Sequence, residues 1–204
     1  MSPIQKIADP TDLAMMRRCI ELSRAAIREG EYPFATVIAM DGKVLAEAIN
    51  HQVRDGDVSR HAEVIALSQA QKVKSRKALR AATLYTNVEP CAMCSYCLRE
   101  CQVGRVVYAI GSPVMGGDTK FNILQDDHMT DRLPQVFGVV PEVVSGLLHD
   151  EAAAVWREWN PAAWHMIERL GFMTDPSAPV VRVAPGRSWS LWRDLRSLAS
   201  GASS

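Results

Sequence analysis

Hydrophobic residues near the start of the chain recur at the spacing of an amphipathic helix over residues 11–29. Asp9 and Pro10 supply a capping side chain and a first-turn proline before this segment, and Gly30 follows its end. These are the residues with which helices typically begin and end. We expect one face of the helix to be buried. Its apolar stripe consists of Leu13, Met16, Ile20 and Ile27.

The spacing of apolar residues changes after this helix. Residues 33–40 form a continuous apolar run, and residues 43–49 form a second segment of strand character. Between them lies Asp41-Gly42, a dipeptide that favours the tight turn of a β-hairpin. The pattern predicts two antiparallel strands, followed by a polar loop over residues 50–59.

Further along the chain, predicted strands alternate with predicted helices. The strands are residues 82–86, 105–110 and 141–146; the helices are residues 60–71, 91–101, 149–158 and 161–170. Alternation of this kind predicts an α/β fold in layers, with the middle strands of the sheet buried on both faces.

Three segments lack a clear pattern. Residues 72–80 are basic and irregular, and residues 111–141 are long for a connection, which is typical of functional loops or of hidden structure. From Thr174 onward Pro, Ser, Gly and Arg dominate. We therefore predict one domain over residues 1–172 and a C-terminal tail over 173–204 outside the core, in which 188–198 could form one or two amphipathic turns.

Composition narrows the possible partners. A chain of 204 residues with 48% hydrophobic and 23% charged residues is long enough for one well-buried core. Its formal net charge is zero, so no overall field attracts it to nucleic acid or to an anionic membrane. No apolar stretch reaches the ~20 residues that cross a bilayer, and residues 1–12 lack the pattern of a secretory signal.

Four of the five cysteines lie in one short segment, residues 91–101, and the fifth is Cys19. This crowding favours metal binding in a reducing compartment over a disulfide framework. A disulfide between two of them is the alternative, although neighbours along a helix orient their thiols poorly for bridging. We expect a cytoplasmic location.

One histidine and two cysteines have the spacing of a zinc site. His61 and Glu63 begin one predicted helix, while Cys91 and Cys94 follow Pro90 at the start of the next. Cysteines three residues apart lie on the same face of a helix, and its N-terminus favours thiolates. Three protein ligands leave a fourth zinc position for water, which is typical of catalytic rather than structural zinc. Glu63 is the predicted catalytic residue that transfers protons.

A closed structural site is the alternative to this catalytic one. Cys97 or Cys101 could supply a fourth ligand, but a structural site would give no reason for Glu63. We expect these two cysteines and Cys19 to be small buried apolar residues.

The pattern His61-Ala62-Glu63 with Pro90-Cys91-Ala92-Met93-Cys94 resembles the signature of the zinc nucleobase deaminases. The chain is similar to members of the cytidine deaminase-like superfamily, in the branch of guanine, cytosine and tRNA adenosine deaminases. The resemblance implies one zinc ion per chain, held by His61, Cys91 and Cys94, and a three-layer α/β/α fold with a mixed five-stranded sheet. It also implies a homodimer.

The resemblance further implies substrate contacts. Asn50 takes the place of a family asparagine that hydrogen-bonds the substrate, and the backbone N–H of Ala62 contacts the base carbonyl. Backbone near Val88 and Glu89 lines the pocket, while the Glu89 side chain is expected to be structural. Phe34 stands in a strand similar to that of guanine and cytosine deaminases. For Asn50, an ordinary turn residue is the alternative.

Three functions remain open at this stage. The first is hydrolytic deamination of a small free nucleobase or related amino-heterocycle, most like guanine. The second is adenosine deamination in tRNA, for which residues 72–80 offer the clustered basic side chains; a solvated helix end is their alternative. The third is an inactive, zinc-stabilised scaffold or partner subunit. In the family that the chain resembles, the segment corresponding to residues 112–121 faces the pocket. Here its sequence follows neither the pattern of the guanine deaminases nor that of the tRNA enzymes.

Overall fold

The computed structural model describes residues 9–176, which form a five-stranded sheet with helices on both faces. The strands are β1 (Ala35–Met40), β2 (Lys43–Ile49), β3 (Thr83–Val88), β4 (Arg105–Ile110) and β5 (Glu142–Ser145). Their order in the sheet is β2-β1-β3-β4-β5. Strand β1 pairs antiparallel with β2 and β3, whereas β3, β4 and β5 run parallel, so the sheet is mixed as expected.

Nine helices are found in the described part of the chain. They are α1 (Pro10–Arg28), α2 (Gln52–Asp55), α3 (Ala62–Val73), α4 (Arg76–Leu79), α5 (Ala92–Glu100), α6 (Asp127–Arg132), α7 (Pro134–Phe137), α8 (His149–Trp159) and α9 (Pro161–Arg169). Asp9 caps α1 by accepting a hydrogen bond from the Thr11 N–H at 2.7 Å. Gly30, at φ 79°, turns the chain out of that helix.

The helices divide into two layers. Helices α1 and α8 contact one face of the sheet and α9 packs on α8, while α3 and α5 pack together on the other side. One core cluster contains Met16, Ile20 and Trp156, and the other contains Leu67, Leu84 and Leu98. The three-layer α/β/α fold is therefore confirmed.

The central strands are apolar because both faces are covered. In β3 and β4, alternate side chains enter different cores: Tyr85 and Val107 lie in the first, and Leu84 and Val106 in the second. A strand buried on both faces needs no polar alternation, which explains the continuous apolar runs.

Element boundaries differ from the predictions by a few residues. The predicted polar loop contains α2, the basic segment 72–80 contains α4, and the irregular segment 111–141 contains α6 and α7. Ser75 caps α4 and Asp126 caps α6 through side-chain hydrogen bonds. Such short helices hold too few residues to produce an apolar period.

The end of the described chain returns to the sheet. Met173 is buried in the first core cluster, and Thr174 exchanges backbone hydrogen bonds of 2.8 and 2.9 Å with Gly111, just after β4. Residues 177–204 of the predicted tail, including 188–198, lie outside the described residues. Between residues 9 and 176, none of the helices has the length and apolar character needed to span a bilayer.

Candidate active site

The starts of helices α3 and α5 lie close together. His61 immediately precedes the first residue of α3, and Cys91 immediately precedes the first residue of α5. Cys94 lies one turn into α5, on the same side as Cys91, because residues three apart are neighbours on a helix surface. The contact between α3 and α5 brings the three side chains together.

These side chains have the geometry of a metal site. His61 Nδ1 lies 3.3 Å from Cys94 Sγ and 3.6 Å from Cys91 Sγ, and the two sulfurs are 3.6 Å apart. Ligands at zinc bond lengths on a tetrahedron are separated by about 3.6 Å. One imidazole and two thiols are ligands that zinc prefers. The residues present therefore fit this ion.

The environment of Cys91 favours its thiolate. The hydrogen bond from the Cys94 thiol lowers the pKa of Cys91 to about 4. The start of α5 adds the positive end of a helix dipole. A sulfur that is ionised at neutral pH is ready to bind a cation without first losing a proton.

Glu63 lies beside these ligands. It is buried, and Thr86 Oγ1 on β3 lies 3.5 Å from its Oε1. Burial raises the pKa of the Glu63 carboxyl. A buried carboxyl with a raised pKa is suited to exchanging protons with a reacting molecule.

The other cysteines do not join this group. In the part of the chain that the structure describes, the potential ligands that cluster are His61, Cys91 and Cys94. Cys101 is buried in the second core cluster, and Cys97 packs partly buried against it. All five cysteines are free thiols. A closed four-ligand site and a disulfide are therefore both absent from residues 9–176.

A pocket opens beside the three-residue cluster and brings together most of the predicted site residues. Its lining consists of Phe34, Asn50, His61, Glu63, Val88, Glu89, Cys91, Ser112, Met115, Phe172 and Met173. Two predicted site residues are not in this lining. Ala62 is fully buried as the first residue of α3, and Cys94 is buried beneath the pocket.

Glu89 fastens the loop that covers one side of the pocket. Its buried carboxylate accepts hydrogen bonds from the N–H groups of Ser112, Asp118 and Thr119, at 2.6, 3.1 and 2.7 Å. Gly117 lets the loop approach α5, since a Cβ there would overlap the side chain of Ser95. The part of 111–141 that carries Ser112 and Met115 is thereby held against the site.

The segment after α9 covers another side. Ser112 Oγ donates a hydrogen bond of 3.0 Å to the Phe172 carbonyl, which holds this segment next to the pocket. The ring of Phe34 packs edge-on against Trp156, with centroids 4.9 Å apart. Trp156 and Trp164 are buried core residues, so the aromatic group that reaches the pocket from the C-terminal side is Phe172.

Two arginines of the basic segment are engaged within the protein. Arg76 donates through Nε to the Glu100 carbonyl at 2.8 Å, and Arg80 donates through Nε to Gln102 Oε1 at 2.9 Å. These bonds agree with the interpretation of residues 72–80 as the end of a helix. Asp126, at the start of α6, caps that helix and does not line the pocket.

The sequence offers no sign of Glu31 or Met173, and it indicates Met115 only as part of the segment 112–121 that was expected to face the pocket. Glu31 is buried at 2% exposure and contacts Asn50, yet a single acidic residue before an apolar run gives no sign of that contact. Met115 and Met173 reach the pocket through loop paths that apolar periodicity does not encode.

Comparisons with known proteins agree with this geometry. A tRNA-specific adenosine deaminase of Bacillus subtilis is 30% identical over 138 residues, which are 67% of this chain and 86% of the relative. A solved structure of tRNA:A34 deaminases is 26% identical, with a TM-score of 0.61 over 70% of this chain and 98% of its own. A guanine deaminase structure from Nitrosomonas europaea is 28% identical, with a TM-score of 0.55 over 74% of this chain and 85% of its own.

The family model of the cytidine and deoxycytidylate deaminase zinc-binding region matches residues 9–110. This span contains the three clustered ligands and Glu63. The chain therefore belongs to the zinc-binding family of cytidine and deoxycytidylate deaminases.

Proposed function

We propose that this deaminase hydrolyses a free nucleobase or a related amino-heterocycle, most like guanine, and releases ammonia. The observation that carries the proposal is that the segment after α9 encloses one side of the pocket. Phe172 and Met173, in the segment after α9, line the pocket, and Ser112 holds their segment in place. A pocket covered in this way suits a small flat substrate better than a base attached to a polynucleotide.

The proposed reaction divides its work among named residues. His61, Cys91 and Cys94 hold the zinc ion, which when bound supplies the Lewis acidity that activates water. Glu63 takes a proton from the attacking water and delivers it to a ring nitrogen of the substrate. It then takes the second proton from the hydroxyl group that was added to the carbon and delivers it to the amino group, so the C–N bond breaks, ammonia leaves and a C=O group forms. Proton transfer of this kind contributes about 10²–10⁴-fold in rate.

The pocket residues have proposed binding roles. Phe34 offers an aromatic surface to a flat ring. Asn50 is positioned at the wall of the pocket to hydrogen-bond the substrate. The backbone around Val88 and Glu89 lines another part of the pocket, and the N–H of Ala62, the first residue of α3, has no acceptor within that helix and is the proposed donor for a carbonyl group of the base.

Adenosine deamination in tRNA is the second candidate. It is favoured by the similarity to the tRNA enzymes described above. Phosphate contacts would have to come from basic side chains. Against this candidate stand the zero formal net charge and the internal bonds of Arg76 and Arg80.

Ammonia release from a panel of free bases, nucleosides and tRNA tests the proposal. We expect turnover of at least one free base and no salt-sensitive binding of tRNA. Glu63→Gln should abolish turnover while zinc content and the melting temperature stay unchanged. Glu168→Gln, an exposed change on α9, is the matched control. Turnover of tRNA alone would establish the second candidate, and unchanged activity of Glu63→Gln would contradict both.

We also propose that the protein is a homodimer, as the family resemblance implies. The exposed apolar residues Met93 and Tyr96 on α5 and Phe121 on the adjacent loop are 37–52% exposed, which suits a surface covered by a second copy. Sedimentation of the wild type and of Tyr96→Glu tests this, with a dimer expected only for the wild type.

A further inference from the structure

Glu31 makes an unusual set of contacts next to the pocket. Its carboxylate accepts hydrogen bonds from the side-chain Nδ2 of Asn50 at 3.0 Å and from the N–H groups of Val53 and Arg54 at 3.1 and 2.7 Å. The residue is 2% exposed. Backbone bonds at the end of α1 fix its position, because the Glu31 N–H donates to the Ala26 carbonyl at 2.9 Å after the turn at Gly30.

This contact determines which end of the Asn50 amide faces Glu31. Both Glu31 oxygens accept hydrogen bonds from N–H groups, so the amide directs its NH₂ group toward the carboxylate. The amide oxygen is then left on the other side of a side chain that lines the pocket. Within residues 9–176, Asn50 Oδ1 has no hydrogen-bond partner from the protein.

We propose that Glu31 is a positioning residue that locks Asn50 with its oxygen toward the pocket, so that the site selects substrates carrying an N–H donor at this point. The proposal rests on the proposed function, since it concerns recognition of the base. Without the carboxylate, the amide could rotate and present NH₂ instead. A ring N–H is a feature of a free purine base and is lost where a sugar is attached to that nitrogen.

Kinetics of Glu31→Gln on guanine test the proposal, or on whichever free base of the panel the wild type deaminates fastest. A glutamine can donate to Asn50 as well as accept from it, so both amide orientations become available. We expect KM to rise about tenfold, the effect of one hydrogen bond, with kcat changed much less. Glu29→Gln is the matched control, because it removes the same charge from an exposed residue two positions away.

A double-mutant cycle separates positioning from general structural support. In an Asn50→Ala background, Glu31→Gln should change KM by less than about twofold, because no amide remains to orient. An equal tenfold change in both backgrounds would show that Glu31 acts on the pocket without Asn50 and would overturn the proposal. So would an unchanged KM of Glu31→Gln in the wild-type background.

A second variant covers the possibility that Glu31→Gln does not fold. Glu31→Asp keeps the charge but is one methylene shorter, so it cannot reach both Asn50 and the N–H groups of α2. It should raise KM in the same way, and an unchanged KM would count against the proposal. A wild type that deaminates no free base would instead refute the proposed function, and the requirement for a ring N–H with it.

Discussion

Glu89 holds Thr119 at two points: its carboxylate accepts from the Thr119 N–H at 2.7 Å and from the Thr119 hydroxyl at 2.9 Å. The two residues are 30 positions apart in sequence. The contact joins the end of β3, next to Cys91, to the loop that carries Ser112 and Met115. The buried carboxylate of Glu89 is therefore one of the groups that hold that wall of the pocket in position.

Replacing Glu89 with glutamine should loosen this loop. A glutamine keeps one acceptor oxygen but places an NH₂ group against backbone N–H donors, which leaves buried polar groups unpaired. We expect the free energy of unfolding to fall by about 1–3 kcal/mol. Urea unfolding of the zinc-loaded protein measures this change, with the exposed Glu168→Gln as control. Equal stability of the two variants would show that the loop is held by other contacts.

Features set by local spacing or by burial could be predicted from the sequence, whereas features set by long-range contacts could not. The ligands Cys91 and Cys94 were predictable as a pair because residues three apart lie on one face of a helix, and His61 was predictable from the resemblance to the deaminase signature. The central strands were predictable because their burial on both faces makes them apolar. The places of Glu31 and Met173 were not predictable. Their places depend on long-range contacts, such as the bond of Ser112 to the Phe172 carbonyl, which leave no period in the sequence.

Acid stability should depend on Asp12. Arg105 donates to its carboxylate at 2.7 and 2.8 Å and Tyr85 donates at 2.8 Å, and the hydrogen bond from Arg105 is the main cause that lowers the pKa of Asp12 in the folded protein. A carboxyl with a lowered folded pKa contributes stability above its unfolded pKa of about 3.9, and this contribution is lost as the pH falls through the folded value.

Asp12→Asn should therefore destabilise the protein by about 1–3 kcal/mol at neutral pH and by progressively less below about pH 4. Urea unfolding across this pH range measures the difference from the wild type. Asp131→Asn, an exposed change on α6, should give a much smaller difference at every pH. A difference for Asp12→Asn that is constant with pH would show that its effect is not electrostatic.

Removal of the metal should destabilise the whole domain, because its three ligands join the starts of α3 and α5. Binding to the folded state alone stabilises a protein by about 3–4 kcal/mol at a hundred to a thousand times the dissociation constant. We expect a chelator to lower the melting temperature of the wild type and zinc to restore it. Cys94→Ser should lose this response, whereas Cys97→Ser should keep it. Retention of the response by Cys94→Ser would contradict the ligand set.

Truncation of Phe172 should change which substrates enter the pocket. Phe172 lines the pocket, and removing its ring opens space beside a segment whose backbone carbonyl Ser112 still binds. Phe172→Ala should raise KM for the free base, since apolar contact with the ring is lost. It should also raise activity on the corresponding nucleoside relative to the base.

The ratio of kcat/KM for the two substrates measures this shift, with the exposed Leu133→Ala as control. A ratio equal to that of the wild type would mean that the cover formed by Phe172 does not exclude the sugar, and selection against nucleosides would then have to come from the wall that contains Asn50.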